Sequence, residues 1–411
     1  MRASPFEPTF GANPPLLVGR DDQLDDFVSC LEDGARGPAR ATLYVGLRGV
    51  GKTVMLNAVE DEARSHGWLV VSEFTGPNML TRLAEERLPK AAQLLQNLDQ
   101  YRSRITGAGI AGLGSLTRQV TELHQPAPGL ATQLDIITEA LTQTSVGLLI
   151  TVDEIHKAHT DKLAELTGHV QMLFREGRPV MFAAAGLPTA VSQLLKEESS
   201  TFLRRADRHE LSTVDPAEVA QAIRQPVIDA GKTIEDAALA VATEATGGYP
   251  FMIQLVGHHT WRAAPEGTEI LTVAHVEQGA AMAVRKVGSL VLETSLGDLS
   301  ATDRSFLAAM SVDAGPSKMA DIQERLQVDA NFASQYRLRL LNADMITAVG
   351  HGYVDFTVPH LREYLREHAA SLGVSLGGAA RVSAPPMEPR PQSLRQRPSE
   401  DLPPPPDAPV P

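Results

Sequence analysis

The chain has 411 residues, with 37 Lys and Arg against 50 Asp and Glu and a formal net charge of −13. That length predicts two or three domains, while the acidic balance excludes non-specific attraction to nucleic acid or anionic membrane. A single cysteine, Cys30, excludes an intramolecular disulfide or a cysteine-rich zinc site and reads as a small buried residue in a helix.

Met1–Pro5 has no apolar run behind it, so no secretory leader is expected, and the segment to about residue 16 is irregular and Pro-rich. Leu17-Val18-Gly19-Arg20-Asp21-Asp22 leads into a helical pattern with Leu24, Phe27, Val28 and Leu31 on one face. Ala41–Val45 predicts a buried strand, a helix is expected over 52–66, and Trp68–Phe74 predicts a second strand, giving a βαβ opening. Residues 78–100 read as helical, and the glycine-rich stretch 107–114 as a loop or small hairpin. Leu130–Thr142 predicts a helix, Val146–Val152 a third strand, Lys162–Glu176 a helix and Val180–Ala185 a fourth strand. The apolar stretches Val146–Val152 and Val180–Leu187 are too short to span a bilayer, so a cytoplasmic protein with no membrane partner is expected.

After residue 190 the strand–helix alternation fades. Asp215-Pro216 opens a mostly helical stretch over 215–290, with proline at the first helical position. Helices are expected at about 302–312, 318–327 and 330–343, then a hairpin of Met345–Val349 and Tyr353–Val358 around Gly350-His351-Gly352, and a short helix from Pro359 to His368. Beyond 370 the chain is Gly-, Ser- and Pro-rich, a composition that cannot bury a core and predicts a disordered tether.

The strongest chemical signal is Gly46-Leu47-Arg48-Gly49-Val50-Gly51-Lys52-Thr53, which fits G-x-x-x-x-G-K-[ST] between a strand and a helix. Glycines let the backbone N–H groups turn onto phosphate oxygens. Lys52 places a cation on the β- and γ-phosphates, the Thr53 hydroxyl reaches Mg²⁺, and the helix that continues through Val54 adds the positive end of its dipole. Gly231-Lys232-Thr233 has the same tail but Pro226 where the first glycine belongs, and reads as chance.

The third strand runs apolar from Leu148 to Val152 and ends in Asp153-Glu154. Carboxylates at that edge of a P-loop sheet lie beside the phosphates. Asp153 is expected to hold Mg²⁺ with Thr53, and Glu154 to orient or deprotonate the attacking water. His156 reads as a surface histidine.

With both motifs in order, the chain resembles the AAA+ ATPases of the origin-recognition and Cdc6-like type and the related archaeal and STAND-type ATPases. Leu17-Val18-Gly19-Arg20-Asp21 is similar to the family segment near the adenine, which implies base contacts for Val18, Gly19 and Arg20. Thr246-Gly247-Gly248-Tyr249-Pro250 resembles the Gly-x-Pro lid motif, which implies a nucleotide contact for Pro250. The resemblance also implies ATP over GTP, and no Asn-Lys-x-Asp motif for guanine is present. An arginine finger is expected before the fifth strand, with Arg204, Arg205 and Arg208 as candidates, which would require self-assembly to complete the site. The usual polar sensor near the end of the fourth strand is replaced by Ala183-Ala184-Ala185-Gly186, with Thr189 the first polar side chain, and the second sensor arginine gives way to Pro250. Both departures favour a slow or partner-activated nucleotide switch.

The expected fold is therefore α/β: an AAA+-like P-loop parallel sheet at 17–212, a helical lid at 213–293, a winged helix at 296–370 and a Pro-rich tail at 371–411. In a winged helix, Ala330–Ala343 would be the recognition helix. Acids outnumber bases over 296–370, so protein partners are favoured there and a DNA-binding initiator or transposition-type regulator is the runner-up.

Overall fold

In the computed structural model, residues 3–368 are described except for 10, 35, 97–128, 143, 145, 198–200, 289–295 and 298. The glycine-rich stretch 107–114, the helical stretch beyond Gln96, the side chain of His156 and the proline-rich tail all lie outside the described residues.

α1 (Asp21–Glu32) buries Phe27, Cys30 and Leu31 on the face the spacing predicts. β1 (Ala41–Gly46) is buried at every position, and runs through the phosphate loop into α2 (Lys52–Ser65). β2 (Leu69–Phe74) follows. The expected helix over 78–100 is broken: α3 (Met79–Arg82) and α4 (Leu88–Gln96) flank a π turn at Leu83–Arg87. Pro89, at the start of α4, has no N–H to give to the preceding turn, which accounts for a wider turn just before it. α5 (Leu130–Thr142), β3 (Leu148–Asp153), α6 (Thr160–Arg175), β4 (Val180–Gly186), α7 (Pro188–Leu194) and β5 (Asp207–Leu211) complete the first group.

The five strands form one parallel sheet in the order β2-β3-β4-β1-β5. β1, β3 and β4 are central and read as unbroken apolar runs, as parallel strands covered on both faces must. β5, at the edge, reads Asp-Arg-His-Glu-Leu, and its charges hide it from hydropathy while blunting the exposed edge. α2 packs across β1, β2, β3 and β4.

A helical group follows: α8 (Pro216–Asp229), α9 (Asp236–Thr246), α10 (Pro250–Ala263) and α11 (Val273–Val287). The short parallel pair β6 (Thr233–Ile234) and β7 (Ile270–Leu271) ties its loops together. Lys232 of the chance Gly-Lys-Thr tail lies over the Trp261 ring at 4.4 Å.

The last group has α12 (Ala301–Ser311), β8 (Ser317–Lys318), α13 (Met319–Leu326), α14 (Ala330–Asn342), the hairpin β9 (Ile346–Gly350) and β10 (Tyr353–Phe356), and α15 (Leu361–His368). β8-β10-β9 is an antiparallel sheet. Phe306, Leu307, Ile322, Leu340, Val354 and Leu365 form its core. Ser300 and Asp303 close a reciprocal cap on α12, and the buried Asp303 also receives Arg339 at 2.8 Å. Among the described residues no helix is long and apolar enough to cross a membrane.

Candidate functional site

The phosphate loop follows β1, and Asp153 ends β3, with β4 between them in the sheet. Both therefore reach the carboxyl edge, where open α/β sheets bind ligands. Gly51 caps α2 at φ 93, ψ 21, a left-handed geometry that glycine adopts without strain. Gly49 also has positive φ, at 79, and a methyl group there would lie 2.4 Å from the Tyr249 hydroxyl. Tyr249 thus closes on the loop from the Gly247-Gly248 turn, whose Gly248 carbonyl accepts the Val214 N–H at 2.8 Å.

A cavity of about 430 Å³ opens over the loop, within the range typical of small-molecule sites. The loop contributes Arg48, Gly49, Val50, Gly51, Lys52, Thr53 and Val54, and β3 contributes Asp153 and Glu154. Val18, Arg20 and Pro250 also line it. Gly46, Leu47 and Gly19 do not line it. Gly46 is packed so tightly that a Cβ would meet Leu211 O at 2.6 Å, and Gly19 is backed by Glu218. The Leu47 carbonyl accepts from the Lys52 ammonium at 2.7 Å.

Arg20 lines the cavity with its guanidinium held by the backbone. It is only 6 % exposed, and its guanidinium donates to Gly19 O at 2.8 Å, Ser212 O at 2.5 Å and Val50 O at 3.4 Å. It ties the phosphate loop to the end of β5, with burial drawing its pKa down and Glu218 opposing that. Arg204 and Arg205 are exposed in the turn Leu203–Arg205 and do not line the cavity. Arg204 donates to Leu195 O at 2.6 Å and Glu197 O at 2.5 Å, closing the end of α7. Arg208 pairs with Glu210 at 3.1 Å on β5.

Two groups that sequence reasoning missed also line the cavity. The first is the N-terminal segment, through Glu7, Thr9, Gly11, Ala12 and Pro14. Phe6 is 2 % exposed and wedged on Gly257 of α10, where a Cβ would lie 2.5 Å from its ring, and the Glu7 N–H donates to Gln254 Oε1 at 3.2 Å. At its other end Asn57 of α2 donates to Gly11 O and Asn13 Oδ1, both at 2.9 Å. The segment is a strap joining α10 to α2. The signals for it were two aromatics, Phe6 and Phe10, in a Pro-rich stretch and a glycine inside a helix. The second group is Phe251, Ile253 and Gln254 of α10.

The Thr53 hydroxyl donates to Asp153 Oδ2 at 2.7 Å, so a hydroxyl and a carboxylate converge at the loop edge. That donor set suits Mg²⁺, which takes one or two protein oxygens and completes its shell with phosphate and water. Among the described residues no cluster of three or more His, Cys, Asp or Glu forms a self-contained metal cage. Glu154 sits in the left-handed region at φ 54, uncommon for a residue with a side chain. Its N–H donates to Asp153 Oδ1 at 2.7 Å, its carbonyl accepts from Thr75 Oγ1 at 2.8 Å, and its carboxylate pairs with Lys157.

Lys52 is 8 % exposed. Burial lowers its pKa to about 8, with Asp153 and Glu154 pulling it back up and Arg48 lowering it further. An anion bound to Lys52 restores a partner and raises that pKa, so binding above pH 8 takes up a proton. Anion affinity should therefore be full below pH 8 and fall above it by up to about tenfold per pH unit. Titration calorimetry with ADP at pH 9, in two buffers of different ionisation heat, should show uptake approaching one proton. No uptake would contradict the shifted Lys52.

Residues 16–183 match the AAA ATPase domain family, and residues 290–365 match a domain of unknown function (DUF8462). The first part of the chain thus carries an AAA ATPase domain. Its fold is similar to that of a Walker-type ATPase of Pyrococcus abyssi, with a TM-score of 0.60 at 14% identity over 85% of this chain and 96% of that one. It is likewise similar to the ORC2 protein of Aeropyrum pernix, determined in ADPNP–ADP complexes, with a TM-score of 0.57 at 14% identity over 89% and 97% of the two chains. No curated protein matches it.

Proposed function

We propose that the protein binds ATP with Mg²⁺, hydrolyses it slowly to ADP, and acts as a nucleotide-dependent switch toward protein partners. The observation that carries this reading is the shared cavity, lined at once by Lys52, Thr53, Asp153 and Glu154 of the sheet edge and by Pro250, Phe251 and Gln254 of α10. A nucleotide seated there touches both groups, so its phosphate state biases how they sit.

In this reading the loop amides and Lys52 hold the phosphates. Thr53 and Asp153 hold Mg²⁺, which when bound neutralises phosphate charge. Glu154 orients the attacking water. The helices from Pro216 to Val287 act as a lid within 213–293, and 296–370 as a winged helix, with α14 as its second helix and β9–β10 as its wing. Arg204 is spent on α7, so Arg205 is the better placed finger for a neighbouring copy in a self-assembled form.

DNA binding is the second reading, and the charge pattern of the last group disfavours it. Arg325, Arg339 and Arg362 are each paired with an acid, Asp313, Asp303 and Asp355. The wing exposes Thr347, Ala348, Val349, His351 and Tyr353, with no Lys or Arg among them. Phosphate contacts dominate DNA affinity, so a salt-sensitive duplex complex is not expected.

Limited proteolysis with ADP and with its non-hydrolysable triphosphate analogue ADPNP tests the switch. The two nucleotides should give different cleavage patterns in the stretch between Val287 and Ala301. Identical patterns at saturation would rule out a switch. Salt-dependent binding of duplex DNA would bring the second reading forward.

A further inference from the structure

Thr189, in α7, is the first polar side chain after β4, and β4 is the strand between β1 and β3. Its hydroxyl is spent on the C-terminal group: it donates to Asp344 Oδ1 at 2.7 Å and lies 3.2 Å from Leu341 O. Asp344 follows α14 in the left-handed region at φ 54, so its side chain is held in an uncommon backbone setting. Its second oxygen, Oδ2, is buried with no hydrogen-bond partner among the described residues. Burying a carboxylate oxygen without a donor is unfavourable unless charge nearby compensates. The compensating charges come from the phosphate loop: Lys52 and Arg48 both act on Asp344. Burial raises the Asp344 carboxyl above its usual pKa, and the bonds from the Thr189 hydroxyl and backbone N–H together with these two cations pull it back.

We propose that Asp344 is a carboxylate place-holder for the terminal phosphate of a nucleoside triphosphate, latched to the core by Thr189. While no terminal phosphate is bound, Asp344 shares the field of Lys52 and Arg48. A γ-phosphate arriving on the same cations repels Asp344 and weakens the Thr189–Asp344 latch, freeing the C-terminal group. A diphosphate leaves the latch in place. The inference rests on the nucleotide reading above and names which residue senses the third phosphate. It also explains why the polar side chain nearest the end of β4 is bonded to another group of the fold.

Asp344→Asn tests it, because the amide keeps the acceptor for Thr189 and removes only the charge. Binding of ADP and ADPNP is measured by titration for wild type, Asp344→Asn and Thr189→Val. In Asp344→Asn the ADPNP affinity should rise about tenfold, a change of about 1.4 kcal/mol, while ADP changes less than twofold. Thr189→Val should shift the same ratio in the same direction, and guards against a folding defect in the first variant. An ADPNP-to-ADP ratio equal to wild type in Asp344→Asn overturns the latch while leaving nucleotide binding intact. If wild type binds neither nucleotide, the reading of the cavity fails and the latch fails with it.

Discussion

Lys52→Ala should lose ADP and ATP binding by roughly 30-fold to several thousandfold. The lysine is a buried cation of the cavity, and removing one partner of a buried charge-assisted contact costs about 2–5 kcal/mol. The loss should not come from unfolding. The folded-state pKa of Lys52 lies at about 8, below its ordinary 10.5. At neutral pH its buried charge therefore opposes folding, and that penalty fades only as pH rises through the window from 8 to 10.5. Removing the charge relieves it, so the nucleotide-free variant should melt no lower than wild type. Fluorescence titration beside a thermal melt checks both halves. Binding retained within threefold would take Lys52 out of the phosphate site.

Glu154→Gln should bind ATP as wild type does and lose about 10²-fold or more of its turnover, the usual consequence of removing a general base or water-orienting carboxylate. The amide keeps the side chain's size, and the pairing with Lys157 that it gives up is partly exposed, worth at most about 1 kcal/mol. Single-turnover hydrolysis with saturating enzyme separates this from a binding defect. A variant as fast as wild type would move the catalytic role elsewhere on the sheet edge.

The parts of the fold that were legible were those coded locally. β1, β3 and β4 stand out because a strand covered on both faces is a continuous apolar run. The phosphate loop stands out because its glycines, lysine and threonine are fixed in number and spacing by one ligand chemistry. β5 did not stand out, since an edge strand carries charge. The strap from Phe6 to Asn13 was read only as an irregular segment: its order comes from Gly257 and Gln254, about 250 residues away in sequence, and from Asn57. Arg20 was placed near the adenine by the family resemblance, and its guanidinium is taken up by three carbonyls. Which groups a long side chain meets depends on strand ends that no local pattern encodes. The same holds for Thr189, whose contact with Asp344 joins residues 155 apart.

The most direct measurement is phosphate release from ATP with Mg²⁺ by the wild-type chain, followed over a range of protein concentration beside Glu154→Gln. Release that depends on Mg²⁺, is lost in Glu154→Gln and rises per molecule with concentration is the result expected of a slow ATPase whose site is completed by a second copy. Absence of both ATP binding and phosphate release at every concentration would contradict it.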